Sequence, residues 1–288
     1  MKLLALDDRS RLESILRFSG DFLSEYCFSN LYLFRKKHHY FVEEAGGCLF
    51  IRGVSYDGLS YVMPCCLKQL ECPEYREELV AALDHVDMIF PVPSRALAFF
   101  SAEEFRFESM QEDLDYIYER EKMRLYPGRR LQSKRNLLYQ FLKNEPNHRI
   151  AEIDDPEARK GAFTVLERWQ AESGFEVTED TDYEPCREAL ELYDRLGLCG
   201  FTVFGENGPV GFLIGEPIQD DVFAYHFAKG DKSVKGIYQF LFSAAASRLA
   251  EGYSYINMEQ DLGNLPLRAS KSSYLPDMMA QKYRIFKR

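Results

Sequence analysis

The sequence predicts an α/β protein of the α+β kind, with mixed sheets flanked by helices and two units along the chain. Three observations carry this. A chain of 288 residues is long enough for one large or two ordinary domains. The first 120 or so residues read as helix, hairpin, strand, helix and strand in turn, which makes a small α/β unit. Further on, two apolar runs flank a helical segment, the pattern of a parallel βαβ unit with a right-handed crossover. The expected domains are residues 1–121 and 122–288, the second including a basic connector helix over 129–145.

In the first domain, residues 10–35 have a helical pattern with a Phe/Leu/Tyr-rich tail. Tyr40–Glu44 and Cys48–Gly53 flank Gly46-Gly47 and predict a hairpin. Tyr61–Cys66 is the next strand, and 74–86 a helix with Leu79, Ala82, Leu83 and Val86 on one face. Met88–Val92 reads as a buried strand, 94–104 as helical and Leu114–Glu119 as a strand.

The second domain opens with a Tyr126-Pro127-Gly128 turn and the helix 129–145, which stops before Pro146. Arg129, Arg130, Lys134 and Arg135 crowd into under two turns of it with no acid among them. Lys134 falls inside the apolar arc and Arg130 beside Leu137, so these cations either snorkel into water or line a cleft. A strand at 148–153 precedes helices at 156–172 and 184–196. Strands 200–205 and 209–215 are joined by an Asn207-Gly208 turn. Strand 222–228, loop 229–236, helix 237–251 and strand 253–259 follow, then a short helix at 265–274 and a strand at 279–287. The loop supplies Lys229, Lys232 and Lys235 ahead of a helix N-terminus, which suits either a bound anion or an ordinary solvated turn.

Composition narrows the function classes. Hydrophobic residues at 46% and charged residues at 28% are ordinary for a soluble globular chain. No apolar run approaches the ~18–20 residues needed to cross a bilayer. The N-terminal Met-Lys-Leu-Leu-Ala-Leu-Asp-Asp-Arg does not read as a signal peptide, and a cytoplasmic location is expected. Seven scattered cysteines and five dispersed histidines show no zinc spacing, so no metal is expected. The net charge of −10 disfavours non-specific nucleic-acid coating. The charge is uneven, however: 122–149 holds eight Lys or Arg against one acid, which could attract a phosphate-bearing ligand.

Chemistry concentrates in 253–276. Read as a strand, 253–261 places Tyr253, Tyr255, Asn257, Glu259 and Asp261 on one face. Read as a helix, the next segment sets Arg268, Lys271 and Tyr274 on one side. Carboxylates followed by two cations and a phenol suit a pocket for a polar substrate. The same residues also fit a capped, salt-bridged surface turn.

This order of elements resembles the GNAT acyltransferase superfamily. The wording is similar to the C-terminal domain family of phosphatidylglycerol lysyltransferases, tandem GNAT-like proteins. The residues behind it are Lys134-Arg135-Asn136, Gly197-Leu198-Cys199-Gly200, the run Val210–Glu216, His226 and Gly236-Ile237-Tyr238-Gln239. Most specific are Asn257–Gly263 and Leu267–Pro276, with Asn30–Arg35 a looser match. The lysyltransferases carry a membrane-embedded flippase domain, and these 288 residues hold no such stretch. The acyl-CoA pyrophosphate loop of GNAT enzymes has closely spaced glycines, where 230–236 offers Gly230 and Gly236 alone.

The resemblance implies two tandem GNAT-like domains and an acyl- or aminoacyl-transferase. The donor would be acyl-CoA or an aminoacyl-tRNA, and the acceptor an amine or hydroxyl. Glu259, Asp261 and Tyr274 are the expected catalytic groups, as base and as proton donor to the leaving group. Asn257, Arg268, Lys271 and His226 would bind substrate. Gly236, Tyr238 and Gln239 would hold the donor, with Arg130, Lys134 and Arg135 on its phosphates or on a tRNA acceptor stem. Two other readings stand beside this one: a catalytically silent GNAT-shaped ligand-binding module, and a plain acetyl-CoA-dependent N-acetyltransferase.

Overall fold

A computed structural model describes residues 2–17, 22–172, 174 and 181–288. The chain divides into two compact units. One comprises Met1–Tyr116, Glu259–Ala269 and Met278–Arg288, the other Ile117–Met258 and Ser270–Asp277. The first unit thus takes the segments 259–269 and 278–288 in addition to the N-terminal stretch. Strand pairing of Lys282–Lys287 brings in the later segment, and side-chain bonds from Asp261 and Arg268 to Tyr116 and Glu112 bring in the earlier one.

The first unit contains β1 (Lys2–Leu3), α1 (Arg9–Arg17), α2 (Phe28–Phe34), β2 (Phe41–Ala45), β3 (Cys48–Val54), β4 (Ser60–Pro64), α3 (Pro73–Ala81), β5 (Met88–Pro93) and β6 (Phe105–Glu108). The helix expected over 10–35 is two helices with a 3-10 turn at Ser24–Tyr26 between them, and its residues 18–21 lie outside those described. Gly46 and Gly47 turn the β2–β3 hairpin with φ of 56° and 77°, conformations open to glycine. The helix expected at 94–104 is a 3-10 turn over Ser94–Phe99 followed by β6.

The sheet runs β1-β2-β3-β4-β5-β14-β6, where β14 is Lys282–Lys287. Strands β4 and β5 are parallel. The last strand inserts antiparallel between β5 and β6, so the C-terminal segment completes the N-terminal sheet. Ile51, Val62, Met63, Met88, Ile89 and Ile285 are fully buried in its core.

The second unit begins within β7 (Asp115–Glu119) and continues through α4 (Arg120–Leu125), α5 (Gln132–Asn144), β8 (Arg149–Glu152), α6 (Pro156–Glu172), α7 (Tyr183–Glu191) and α8 (Tyr193–Leu196). Then come β9 (Cys199–Gly205), β10 (Gly208–Gln219), β11 (Val222–Gly230), α9 (Ile237–Arg248) and β12 (Tyr255–Asn257). The helix α10 (Leu265–Ser272) and the short β13 (Met278–Ala280) precede β14. Within the second unit the sheet order is β7-β12-β11-β10-β9-β8. Gly205 pairs with Gly208, so the tight turn is Glu206-Asn207, one residue before the expected pair.

Strands β11 and β12 are parallel, as the βαβ reading requires. Their pairing is short: it joins Val222 to Tyr255 and ends at Ala224 and Asn257, while β11 continues to Gly230. At this point β11 bulges. Its register against β10 steps from Ile214↔Phe227 to Gly215↔Tyr225, making His226 the extra residue. A Cβ on Gly215 would lie 2.1 Å from the Ala224 carbonyl oxygen, so only glycine allows the two backbones this close. A bulge bends its strand, and here the bend falls where β11 leaves β12.

Candidate active site

Strand β12 ends at Asn257, and the alternation expected over 253–261 stops with it. Asn257 is fully buried at the strand end. Glu259 takes a left-handed backbone, φ 58°, which is unusual for a residue with a side chain. It therefore leaves the strand face. The Asn30 amide donates to its Oε1 at 2.9 Å.

Asp261 and Arg268 do meet. The Arg268 guanidinium donates to both Asp261 oxygens at 2.9 Å and to Glu112 at 3.1 Å. The Tyr116 hydroxyl donates to Asp261 Oδ2 at 2.6 Å, and the Gly263 N–H donates to Oδ1. Burial pushes the Asp261 carboxyl upward, but the Arg268 and Tyr116 bonds outweigh it and leave its pKa lowered. Donating to the Asp261 and Glu112 carboxylates raises the Arg268 pKa in return. Such a carboxylate is an anchor for the turn into α10.

In the second unit a different set of the expected residues converges. The Gln239 amide, in the first turn of α9, donates to the Tyr274 hydroxyl at 2.7 Å. Lys134, from α5, sits 3.9 Å above the Tyr274 ring and donates to Ser273 Oγ at 2.6 Å. Tyr126 and Phe242 pack their rings against Tyr274 as well. Burial raises the Tyr274 pKa, so the phenol keeps its proton at neutral pH. Burial lowers the Lys134 pKa, and no carboxylate pairs with it among the described residues. Lys271 is buried, and its carbonyl accepts the Tyr118 hydroxyl at 2.7 Å.

His226, set out of register by the bulge, shares a 3.0 Å contact between its Nε2 and Glu216 Oε1. Gly236 caps α9 with φ 86°, and a Cβ there would lie 2.0 Å from the Leu137 carbonyl oxygen. This glycine is thus required by the packing of α5 against α9. Tyr238 holds the end of β11, its hydroxyl accepting from the Gly230 N–H at 3.3 Å. Arg135 caps the Tyr126 and Gly128 carbonyls, and Arg130 is exposed.

The loop after β11 differs from the expected anion cradle. Lys229 is held by both Asp182 oxygens at 2.6 and 2.7 Å and lies 3.7 Å above the Trp169 ring. Asp231 binds Arg168, and Lys232 reaches the Glu172 carbonyl at 3.5 Å. Two of the three lysines are therefore engaged within the protein. The partners around this stretch come from α6 and from Asp182 just ahead of α7, far away in sequence, which spacing cannot reveal.

Comparison with known proteins identifies the family. The family described as phosphatidylglycerol lysyltransferase, C-terminal, matches residues 17–286. The chain belongs to this family. A conserved protein of unknown function from Bacteroides thetaiotaomicron is similar over 100% of this chain and 99% of its own, with 24% identity and a TM-score of 0.83. L-PGS from Bacillus licheniformis is similar over 97% of this chain and 91% of its own, at 17% identity and TM-score 0.65. A GNAT-family acetyltransferase from Colwellia psychrerythraea covers 100% and 98%, at 12% identity and TM-score 0.52. No curated protein matches the chain.

This member of the phosphatidylglycerol lysyltransferase C-terminal family thus has an acyl- or aminoacyl-transferase type of fold, with two mixed sheets flanked by helices. Among its described residues no helix is long and apolar enough to cross a membrane.

Proposed function

We propose that this protein is an acyl- or aminoacyl-transferase whose donor enters the wedge between β11 and β12. The observation that carries the proposal is the bulge at His226, which bends β11 where its pairing with β12 ends. An extended donor arm can lie against a strand at such a parting, held through backbone groups.

Around that donor, Tyr274 supplies the proton to the leaving group. Gln239 donates to its oxygen, and burial keeps the phenol protonated. Lys134 binds the donor's phosphate, because it is a half-buried cation that no acid neutralises. The acceptor amine or hydroxyl gives up its proton to solvent in the same step. The acceptor's nitrogen or oxygen attacks the donor carbonyl, and the leaving group departs with the proton from Tyr274.

Aminoacyl-tRNA is favoured over acyl-CoA as the donor. The end of β11 and the loop after it hold their own ion pairs at Lys229 and Asp231, which leaves little of this stretch for a pyrophosphate. The exposed Arg129 and Arg130 at the start of the basic helix suit an acceptor stem. Transfer assays with radiolabelled aminoacyl-tRNA and with acetyl-CoA test the reading. Tyr274→Phe is expected to lower turnover about 10²- to 10⁴-fold, the range of general acid–base catalysis. Lys134→Met is expected to raise KM for the donor. Full activity in both variants would sink the proposal.

A further inference from the structure

Within the first unit lies a small cavity, about 30 Å³ in volume, that the transferase reading leaves unused. Buried Glu25, Tyr40, Tyr61 and Phe90 line its inner part, and the more exposed Tyr56 and Leu262 its outer part. Glu25 is 3% exposed. Its Oε1 accepts from Lys282 Nζ at 2.7 Å and from Gln260 Nε2 at 3.1 Å, but its Oε2 has no partner. The Tyr56 hydroxyl in the same lining is also buried without a partner. A buried polar atom left unbonded is costly, so two of them facing one cavity point to an occupant.

Charge indicates what kind. Lys282 binds Glu25 and Asp115 at 2.7 Å each, and Arg284 binds Asp113 and Asp57 at 2.7 and 2.6 Å. Four carboxylates therefore share two cations in this network. Burial answers part of the imbalance by pushing the Glu25 carboxyl up to about 7. A cation in the cavity would answer the rest. The rings of Tyr40, Tyr56, Tyr61 and Phe90 stand in the wall beside the oxygens of Glu25, Ser55, Asp113 and Gln260, and ring faces attract an organic cation.

Size sets the limit. A water needs about 10–15 Å³, so the space holds an ammonium group with a first methylene and nothing bulkier. We propose that this cavity binds the ammonium group of a small primary amine, which donates to Glu25 Oε2 and to the Tyr56 hydroxyl oxygen. The remainder of the amine would extend outward past Leu262. The inference concerns binding alone and stands independently of the transferase reading.

Calorimetric titration of the full chain at pH 8 with methylammonium chloride tests it, with sodium chloride and tetramethylammonium chloride as controls. Saturable binding of methylammonium alone is expected. Glu25→Gln should weaken it roughly tenfold or more, the scale of a charged hydrogen bond. Tyr56→Phe should weaken it less, with an unchanged circular dichroism spectrum. If Glu25→Gln fails to fold, Tyr56→Phe and a methylammonium-soaked crystal decide. No saturable binding overturns the proposal, and so does wild-type affinity in Tyr56→Phe. Equal response to sodium, or water alone beside Glu25 Oε2, has the same effect.

Discussion

Glu25 and Asp261 are both buried acids, yet their surroundings push them in opposite directions. Burial dominates at Glu25 and raises its pKa from 4.5 to about 7. At Asp261, bonds from Arg268 and Tyr116 dominate and lower it. The pH dependence follows from these signs. Glu25 holds its proton more tightly when folded, so its contribution to stability is full below pH 4.5 and is lost as pH rises toward 7. Asp261 contributes in full above its unfolded value of 3.8, and this is lost as pH falls through its lower folded pKa. The groups facing Glu25 are Lys282, which stays charged, and Asp115, with Asp113 and His38 on the cavity. Burial lowers the His38 pKa. Thermal unfolding across pH 4.5–7 should therefore slope downward in the wild type and flatten in Glu25→Gln. An unchanged slope would show that another group is responsible.

At the scale of elements, two glycines set the shape of the second unit. Gly236→Ala would force a side chain into positive φ and against the Leu137 carbonyl oxygen, 2.0 Å away. A loss of about 2–3 kcal/mol is expected, read from urea unfolding. Gly215→Ala meets the Ala224 oxygen at 2.1 Å and should straighten or displace the bulge. Its effect is expected in donor affinity as well as in about 2 kcal/mol of stability. If donor affinity survives in a folded Gly215→Ala protein, the wedge is not the donor site.

Some of these elements were legible in the sequence and some were not. The β2–β3 hairpin showed through Gly46-Gly47, and the parallel β11–α9–β12 unit through its periodicity. Strands β1 and β6 have two and four residues, too few for alternation to register. The pairing of Asp261 with Arg268 was visible as a spacing, but whether it was a pocket or a clamp depended on Glu112 and Tyr116, far away in the chain. Glu25 was overlooked. Its one local signal is an acid inside the aromatic-rich run Phe22–Phe28, and its partner Lys282, which it shares with Asp115, is distant in sequence.

For the whole molecule, the dominant fact is that β14 supplies Lys282 and Arg284 to carboxylates from the first 116 residues. Lys282→Ala would leave Glu25 and Asp115 buried without their cation. A loss of about 3–5 kcal/mol is expected, measured by denaturant unfolding. A loss below about 1 kcal/mol would mean that the site is wet enough to solvate both acids. The placement of β14 also bears on biosynthesis. A ribosome delivers the chain from its N-terminus, so the first sheet waits, gapped between β5 and β6, until residues 282–287 have emerged from the exit tunnel. Nascent chains stalled before that point should stay protease-sensitive in their first 116 residues, whereas the later-made Ile117–Met258 portion already holds β8 to β12 of its own sheet and can resist digestion sooner.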